Sequence, residues 1–218
     1  MYTALIVAAG SGSRVDLGYN KVFFEVHSKP ILLYSVDQFI KDTEFSEIIV
    51  VYAKGEYDRM KEVLSYREII LIEGGNTRQE SVYNGLKAVT NAVVFIHDGA
   101  RPNLKTQYLE QLKVKLCEAQ ALTLATKSKD TIKIVKEGKI VNDVPRDQSY
   151  LIQTPQVFIT DEIMKAHEAF KKTNIPFTDD TSIYMAYNHG VVVIVEGDDE
   201  NIKVTTKFDL LKLEDILC

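Results

Sequence analysis

Short apolar runs bounded by turn residues recur along the chain at positions 3–7, 47–52, 69–73, 93–96, 122–126 and 191–196. Most are continuously apolar and β-branched, the pattern of parallel strands covered on both faces. Between them lie segments of helical period. One begins at Pro30, with Ile31, Leu32, Val36, Phe39 and Ile40 on one face, and proline suits a first helical position. Others are expected at about 56–65, 78–88, 106–119, 161–171 and 179–188. A last helix is announced by Thr206-Lys207-Phe208-Asp209, a capping-box start, followed by Leu210, Leu211, Leu213, Ile216 and Leu217. Alternating strands and helices predict an α/β fold, an open, mostly parallel Rossmann-like sheet with helices on both faces.

One stretch departs from that rhythm. Residues 131–136 alternate, Glu137-Gly138 turns, and residues 139–144 continue as a second strand. This predicts a β-hairpin with little apolar content to bury on one face, either a solvated ornament or an arm that packs on another subunit. With no low-complexity linker, residues 1–218 are read as a single domain carrying this arm at about 130–146.

The 218-residue length allows a substantial core without disulfides or a structural metal. The two cysteines, Cys117 and Cys218, have no metal-ligand spacing and suggest a reducing, cytoplasmic setting. A net charge of −5 disfavours a general nucleic-acid surface and leaves room for a local basic pocket. No apolar run reaches the roughly 18 residues of a membrane span, and the opening residues lack a basic leader and read as a buried strand.

Open α/β sheets bind ligands beyond the carboxyl ends of their strands. After the first strand comes Ala8-Ala9-Gly10-Ser11-Gly12-Ser13-Arg14, with Lys21 further on. Small residues let backbone N–H groups approach phosphate oxygens, and Arg14 and Lys21, the latter expected on an exposed loop, add positive charge. A dinucleotide fingerprint fails at Val15 and at Ala53-Lys54, where an acidic residue is wanted; a Walker loop fails because Lys21 follows Asn20 and precedes Val22. A nucleotide-triphosphate loop remains, beside the plainer reading of a glycine turn with surface cations. After the third strand, Gly74-Gly75 through Ser81 is equally compatible with a βα turn or a ligand contact. After the fourth, Asp98 is a natural metal or hydroxyl ligand, Arg101 a phosphate holder or its ion-pair partner, and His97 a strand-end histidine without a catalytic part. Thr178-Asp179-Asp180 reads as an N-cap cluster, and Lys203 is placed within a late strand at 201–205.

Taken together, the 8–14 loop with Lys21, His97-Asp98-Gly99-Ala100-Arg101-Pro102, Gln153-Thr154-Pro155-Gln156-Val157-Phe158, Thr178-Asp179-Asp180 and Asn201-Ile202-Lys203-Val204-Thr205-Thr206 resemble the 2-C-methyl-D-erythritol 4-phosphate cytidylyltransferase family, in order from about residue 3 to residue 211. The resemblance implies a nucleotidyltransferase fold that makes 4-diphosphocytidyl-2-C-methylerythritol from CTP and methylerythritol phosphate, in the non-mevalonate route to isoprenoids. It also implies Mg²⁺ and a homodimer with interlocked hairpin arms. It assigns Ala8, Ala9, Gly10, Gly12, Gly75, Ser81 and Gly99 to the nucleotide, and Arg14, Lys21 and Lys203 to catalysis at the phosphates. Asp98, Arg101 and Thr178, with Thr131 and Arg146 from the partner's arm, would bind the sugar-alcohol phosphate, and Asp98 would also serve the metal. The family usually has proline where Asn20 stands and often alanine at Gly99, departures that bear on loop rigidity. A ribitol 5-phosphate or related polyol-phosphate cytidylyltransferase is the nearest alternative. A nicotinamide oxidoreductase is disfavoured by Val15 and the missing acidic residue. A non-catalytic nucleotide-binding module would need neither Lys203 nor Asp98.

Overall fold

The computed structural model describes residues 1–217 apart from 11–14, 16, 66 and 174, and apart from the side chain of Asn188. Strand β1 (Tyr2–Val7) leads through a 3₁₀ turn (Lys21–Phe23) and the short strands β2 (Glu25–Val26) and β3 (Lys29–Pro30) into helix α1 (Ile31–Lys41). There follow β4 (Phe45–Tyr52), α2 (Tyr57–Val63), β5 (Ile70–Glu73), α3 (Arg78–Leu86), β6 (Val93–Asp98), α4 (Thr106–Lys115) and β7 (Ala121–Lys127). The hairpin is β8 (Lys133–Lys136) and β9 (Lys139–Asp143), and a second 3₁₀ turn (Arg146–Gln148) precedes β10 (Tyr150–Ile159). Helices α5 (Thr160–Phe170) and α6 (Asp180–Asn188), strand β11 (Val193–Glu196) and helix α7 (Lys207–Ile216) complete the chain.

Among the described residues, seven strands form one sheet in the order β11-β7-β10-β6-β1-β4-β5. The pairs β1–β4, β1–β6, β4–β5 and β7–β11 are parallel. Alternate side chains of each central strand enter opposite layers, which is why these strands read as unbroken apolar runs. Ala4, Ile6, Val50 and Phe95 meet Leu32, Val36, Phe39, Met60 and Leu109 of α1, α2 and α4. Leu5, Ile49, Val51, Val94 and Ile96 meet Val82, Leu86, Ile163, Ala166 and Ile183 of α3, α5 and α6. Helix α7 packs Leu210 and Leu213 on Val15, Val26 and Ile31. Its predicted capping box is formed, Thr206 and Asp209 each accepting from the other's backbone N–H.

Strand β10 is absent from the sequence reading and runs antiparallel to both β6 and β7. Its centre, Gln153-Thr154-Pro155-Gln156, is polar, contains a proline with no N–H to give, and carries a register shift between Ile152 and Gln156. Those features signal a loop. The segment is a strand because its buried polar groups have fixed partners, described below. Residues 201–205, read as a late strand, form an extended loop, joined to the loop after β6 by the Val204 N–H and the Ala100 carbonyl (2.9 Å).

The hairpin forms its own two-stranded sheet, with every residue of β8 and β9 exposed. Glu137 and Gly138 both have positive φ (50° and 75°), the sign that a primed two-residue turn requires. No helix among the described residues is long and apolar enough to cross a membrane.

Phe95 is fully buried and stacks at a tilt on Tyr2 and edge-on to Phe45, with centroids 5.3 and 4.9 Å away. Phe95→Ala should cost about 3–5 kcal/mol of stability, measured as a lowered urea midpoint. A loss below about 1 kcal/mol would mean that the layer refills.

Candidate active site

The chain builds β1, β4 and β5 to one side of the sheet, then returns to place β6 on the other side of β1. The carboxyl ends of β1 and β6 therefore diverge at a topological switch point, where a crevice must open. A cavity of about 390 Å³ lies there. Its lining includes Ala8, Ala9 and Gly10 beyond β1, Gly75 of the β5–α3 turn, Ser81 in the first turn of α3 and Asp98 at the end of β6. Lys21 and Lys203 also line it. Lys21 is buried at the first position of its 3₁₀ turn, with 9% of its surface exposed, a correction to the expected exposed loop.

The approach of these walls depends on small residues. A Cβ at Gly74 would lie 2.6 Å from the Ala9 Cβ and 2.8 Å from the Ser81 Oγ. Ser81 accepts from the Gly75 N–H (3.0 Å) and donates to the Thr77 carbonyl (2.8 Å) while lining the cavity. The βα-turn reading holds, and Ser81 ties that turn while also lining the crevice.

A second cavity of about 290 Å³ adjoins the first and shares Arg78, Asp98 and Lys203 with it. Its other walls include Arg101, Thr154, Gln156 and Thr178. Asp98 is the hub: its Oδ2 takes Lys203 Nζ at 2.8 Å and Arg101 Nε at 3.6 Å, and its Oδ1 faces Arg78 Nε at 3.4 Å. Burial alone would push its carboxyl up, and Arg78, Lys203 and Arg101 outweigh that, holding it well below the usual carboxylate range. Arg101 also donates to the Asn201 carbonyl (2.6 Å), which fixes the loop that bears Lys203.

Sequence reasoning missed Arg78. It occupies the first position of α3 and pairs with Asp180 Oδ2 at 2.8 Å as well as with Asp98. A cation at a helix N-terminus opposes the helix dipole, and that misfit was the available signal of a duty toward anions. Gln156 and Thr154, quoted within a motif without a role, are also structural partners here. Gln156 bonds Asp179 and the Asp180 N–H, setting the start of α6 beside Thr178. Thr154 Oγ1 accepts from the Asp98 N–H (3.1 Å) and donates to His97 Nδ1 (2.9 Å).

Of the remaining expected residues, Gly12 and Arg14 lie outside the described residues. Gly99 is buried just below the cavity, between its lining neighbours Asp98 and Ala100. Thr178 is exposed at the rim of the second cavity, 3.4 Å from Ser182. Thr131 and Arg146 bond to each other (2.9 Å) at the base of the arm, and neither lines either cavity in this chain.

The family model for 2-C-methyl-D-erythritol 4-phosphate cytidylyltransferase matches residues 2–218. This chain belongs to that family. A Clostridium novyi cytidylyltransferase of that name is 40% identical over 223 residues, covering 98% of this chain and 95% of the relative. One from Bacillus pumilus is 36% identical, covering 99% and 96%. The crystal structure of the 4-diphosphocytidyl-2C-methyl-D-erythritol synthase of Anaerococcus prevotii superposes with a TM-score of 0.88 at 31% identity, covering 100% of this chain and 98% of that one. The alanine expected of the family at Gly99 nearly fits here. A Cβ would sit 3.1 Å from Leu32 Cδ1 and 3.3 Å from the Ala8 Cβ, needing shifts of a few tenths of an ångström.

His97 has both ring nitrogens engaged, Nδ1 with Thr154 and Nε2 with the Arg101 carbonyl (3.1 Å). The tautomer that satisfies both carries its proton on Nε2. Burial is the main cause that pushes its pKa down, to about 4, so the native state holds it neutral. Between that value and the ordinary His pKa of about 6.5, the unfolded chain binds a proton that the native chain refuses. Stability should therefore fall as pH drops from about 6.5 to about 4, by on the order of 3 kcal/mol. The depressed Asp98 and Asp180 carboxyls add losses only below their unfolded values. Denaturant midpoints measured across this range should show the slope, and His97→Gln should flatten it. An unchanged slope in that variant would assign the titration elsewhere.

Proposed function

We propose that this chain performs its family's reaction with the two cavities as its two half-sites, the larger for CTP and the smaller for methylerythritol phosphate. Family membership makes it a cytidylyltransferase of isoprenoid biosynthesis. The observation that carries the residue assignment is the cationic ridge, Arg78 and Lys203 around Asp98, common to both cavities.

A phosphate monoester oxygen is already a nucleophile, so the reaction asks the protein for alignment and charge neutralisation, with no side-chain nucleophile. Ala8, Ala9 and Gly10 would present main-chain groups to the cytosine, with Gly75 and Ser81 opposite and Gly12 and Gly99 nearby. Arg14, Lys21 and Lys203 would meet the charge developing on the α-phosphate as pyrophosphate leaves. Asp98, Arg101 and Thr178 would hold the acceptor.

Asp98 is the one carboxylate lining the larger cavity among the described residues, and no cluster of three acidic, histidine or cysteine side chains surrounds it. Magnesium wants about six oxygen ligands, so these residues fit an ion carried chiefly by triphosphate oxygens. Asp98 would be the protein carboxylate that holds it. Bound there, magnesium would neutralise phosphate charge.

The arm supports a two-chain site. Ile134, Val135, Ile140 and Val141 are 49–67% exposed on a two-stranded hairpin, and Leu151 and Ile152 extend the apolar surface at 53% and 41%. Isolated hairpins are marginal in water, and a second copy in an isologous homodimer would cover this one. Thr131 and Arg146 would then reach the partner's acceptor cavity. A single nucleotidyltransferase domain over residues 1–218 in the cytoplasm, with no nucleic-acid or membrane partner, completes this reading.

Pyrophosphate release should be followed with purified protein, Mg²⁺ and CTP, offering methylerythritol phosphate or ribitol 5-phosphate. Methylerythritol phosphate should be preferred in kcat/KM by about tenfold or more, and CTP should exceed ATP and GTP. Preference for ribitol 5-phosphate, or equal turnover of a purine nucleotide, would overturn the assignment.

Lys21→Ala should lower kcat about 100-fold or more. Arg146→Ala should also be poorly active, and mixing the two variants should restore one competent site per heterodimer. Heterodimers that form and stay inactive would remove Arg146 from the partner's site.

A further inference from the structure

The family resemblance leaves Asn20 as a departure with a question over the rigidity of its loop, and the structure gives it a full set of bonds. Its side chain is buried, with 3% of the residue exposed. The amide Nδ2 donates to the Ala8 carbonyl (2.8 Å) and to Glu56 Oε2 (2.8 Å). The Oδ1 accepts from the Val22 N–H at 3.3 Å, capping the 3₁₀ turn that starts at Lys21. Both N–H donors are used, and the three partners lie on three separate pieces of chain.

Each bond has a consequence for the cavity. Ala8 is the first residue past β1 and begins the wall continued by Ala9 and Gly10. Its N–H is spent on the Val51 carbonyl (2.8 Å), and the Asn20 bond engages its carbonyl, so its peptide groups are held on both sides. The Val22 bond fixes the turn on which Lys21 stands, and Glu56, the residue before α2, anchors the amide to a helix. The Asn20 amide therefore ties the Ala8 end of the wall directly to the turn that carries Lys21.

We propose that Asn20, seated by Glu56, is a positioning residue that holds Lys21 in register with the Ala8–Gly10 wall, acting on catalysis through Lys21. Asn20 lines neither cavity. The proposal rests on the assignment of Lys21 to the phosphates, and the test separates the two.

The experiment is a double-mutant cycle on the full-length protein, with kcat and KM for CTP measured for Asn20→Ala, Lys21→Ala and the double variant, and thermal melts for each. Asn20→Ala should lower kcat about tenfold or more with a smaller change in KM. In the Lys21→Ala background the same change should cost about nothing further, because the group being positioned is gone. Additive losses in kcat would overturn the positioning role and leave Lys21 catalytic. Near-normal turnover of Lys21→Ala alone would overturn the catalytic assignment itself, and this proposal with it.

Should Asn20→Ala not fold, a reciprocal pair carries the test. Asn20→Asp keeps the acceptor for Val22 and sets a carboxylate against Glu56 and the Ala8 carbonyl, so kcat should fall. Adding Glu56→Gln restores a hydrogen bond between the two positions with the donor reversed, and should recover at least about threefold of kcat. No recovery, in a pair that melts like the parent, would overturn the Glu56 seat.

Discussion

One carboxylate lines both cavities and holds their cations together. Asp98 ends β6 at the point where the sheet reverses its building direction, and its neighbours Arg78, Arg101 and Lys203 come from α3, the β6–α4 loop and the loop after β11. Asp98 and Arg101 are buried, where a charge stripped of its partner costs about 3–5 kcal/mol, while Arg78 and Lys203 are partly exposed. Attraction to Asp98 fixes three pieces of chain around the crevice. The same grouping is suited to exchange partners: Lys203 is partly exposed, and a phosphate group can take the place of Asp98 as its counter-ion.

A second chain of bonds runs beneath that hub. Asp180 is fully buried between Arg78 (2.8 Å) and His167 Nε2 (3.1 Å), so the start of α6 and the interior of α5 are tied to the residue that faces both cavities. Gln156 adds its own bonds to Asp179 and to the Asp180 N–H. The second cavity is therefore framed in part by α6 and β10 as one hydrogen-bonded unit, with Arg101, Thr178 and Lys203 added from loops.

How far the sequence was legible follows from which rule dominated each segment. Where burial on both faces set composition, as in β1, β4, β6 and β7, apolar runs marked the strands to within a residue or two, and the helices followed from their period and caps. Strand β10 was hidden because its core-facing residues are polar by necessity: Gln153 bonds the Asp198 carbonyl (2.7 Å), Thr154 serves His97 and Asp98, and Gln156 serves α6. A strand that floors a polar site cannot look like one that fills a core. Lys203 lies in a loop for a related reason, its segment being held by Arg101 and Ala100 rather than by a ladder. Arg78 escaped notice because its partners are 20 and 102 positions away in a chain whose closure no local pattern announces. Of the segments read as phosphate-binding, Ala8–Gly10, Lys21, Gly75, Asp98 and Lys203 line one crevice, because the switch point of an open sheet gathers segments that follow its strands.

On the proposed two-chain site, the arm and the crevice would answer one physical problem at different scales. A site for a nucleoside triphosphate and a phosphate monoester must gather cations, and gathered cations repel unless anions or distance separate them. Within the chain, Asp98 and Asp180 hold Arg78, Arg101 and Lys203 close together before any ligand arrives. Arg146 is kept at a distance, bonded to Thr131 at the base of an exposed arm, where its charge adds nothing to the crowding around the crevice. If it enters a site only by subunit pairing, the last cation is supplied by assembly, and the isolated chain never bears the repulsion of the complete set. Dimerisation would then be part of the electrostatic design of the site as well as the cover for apolar surface on the arm.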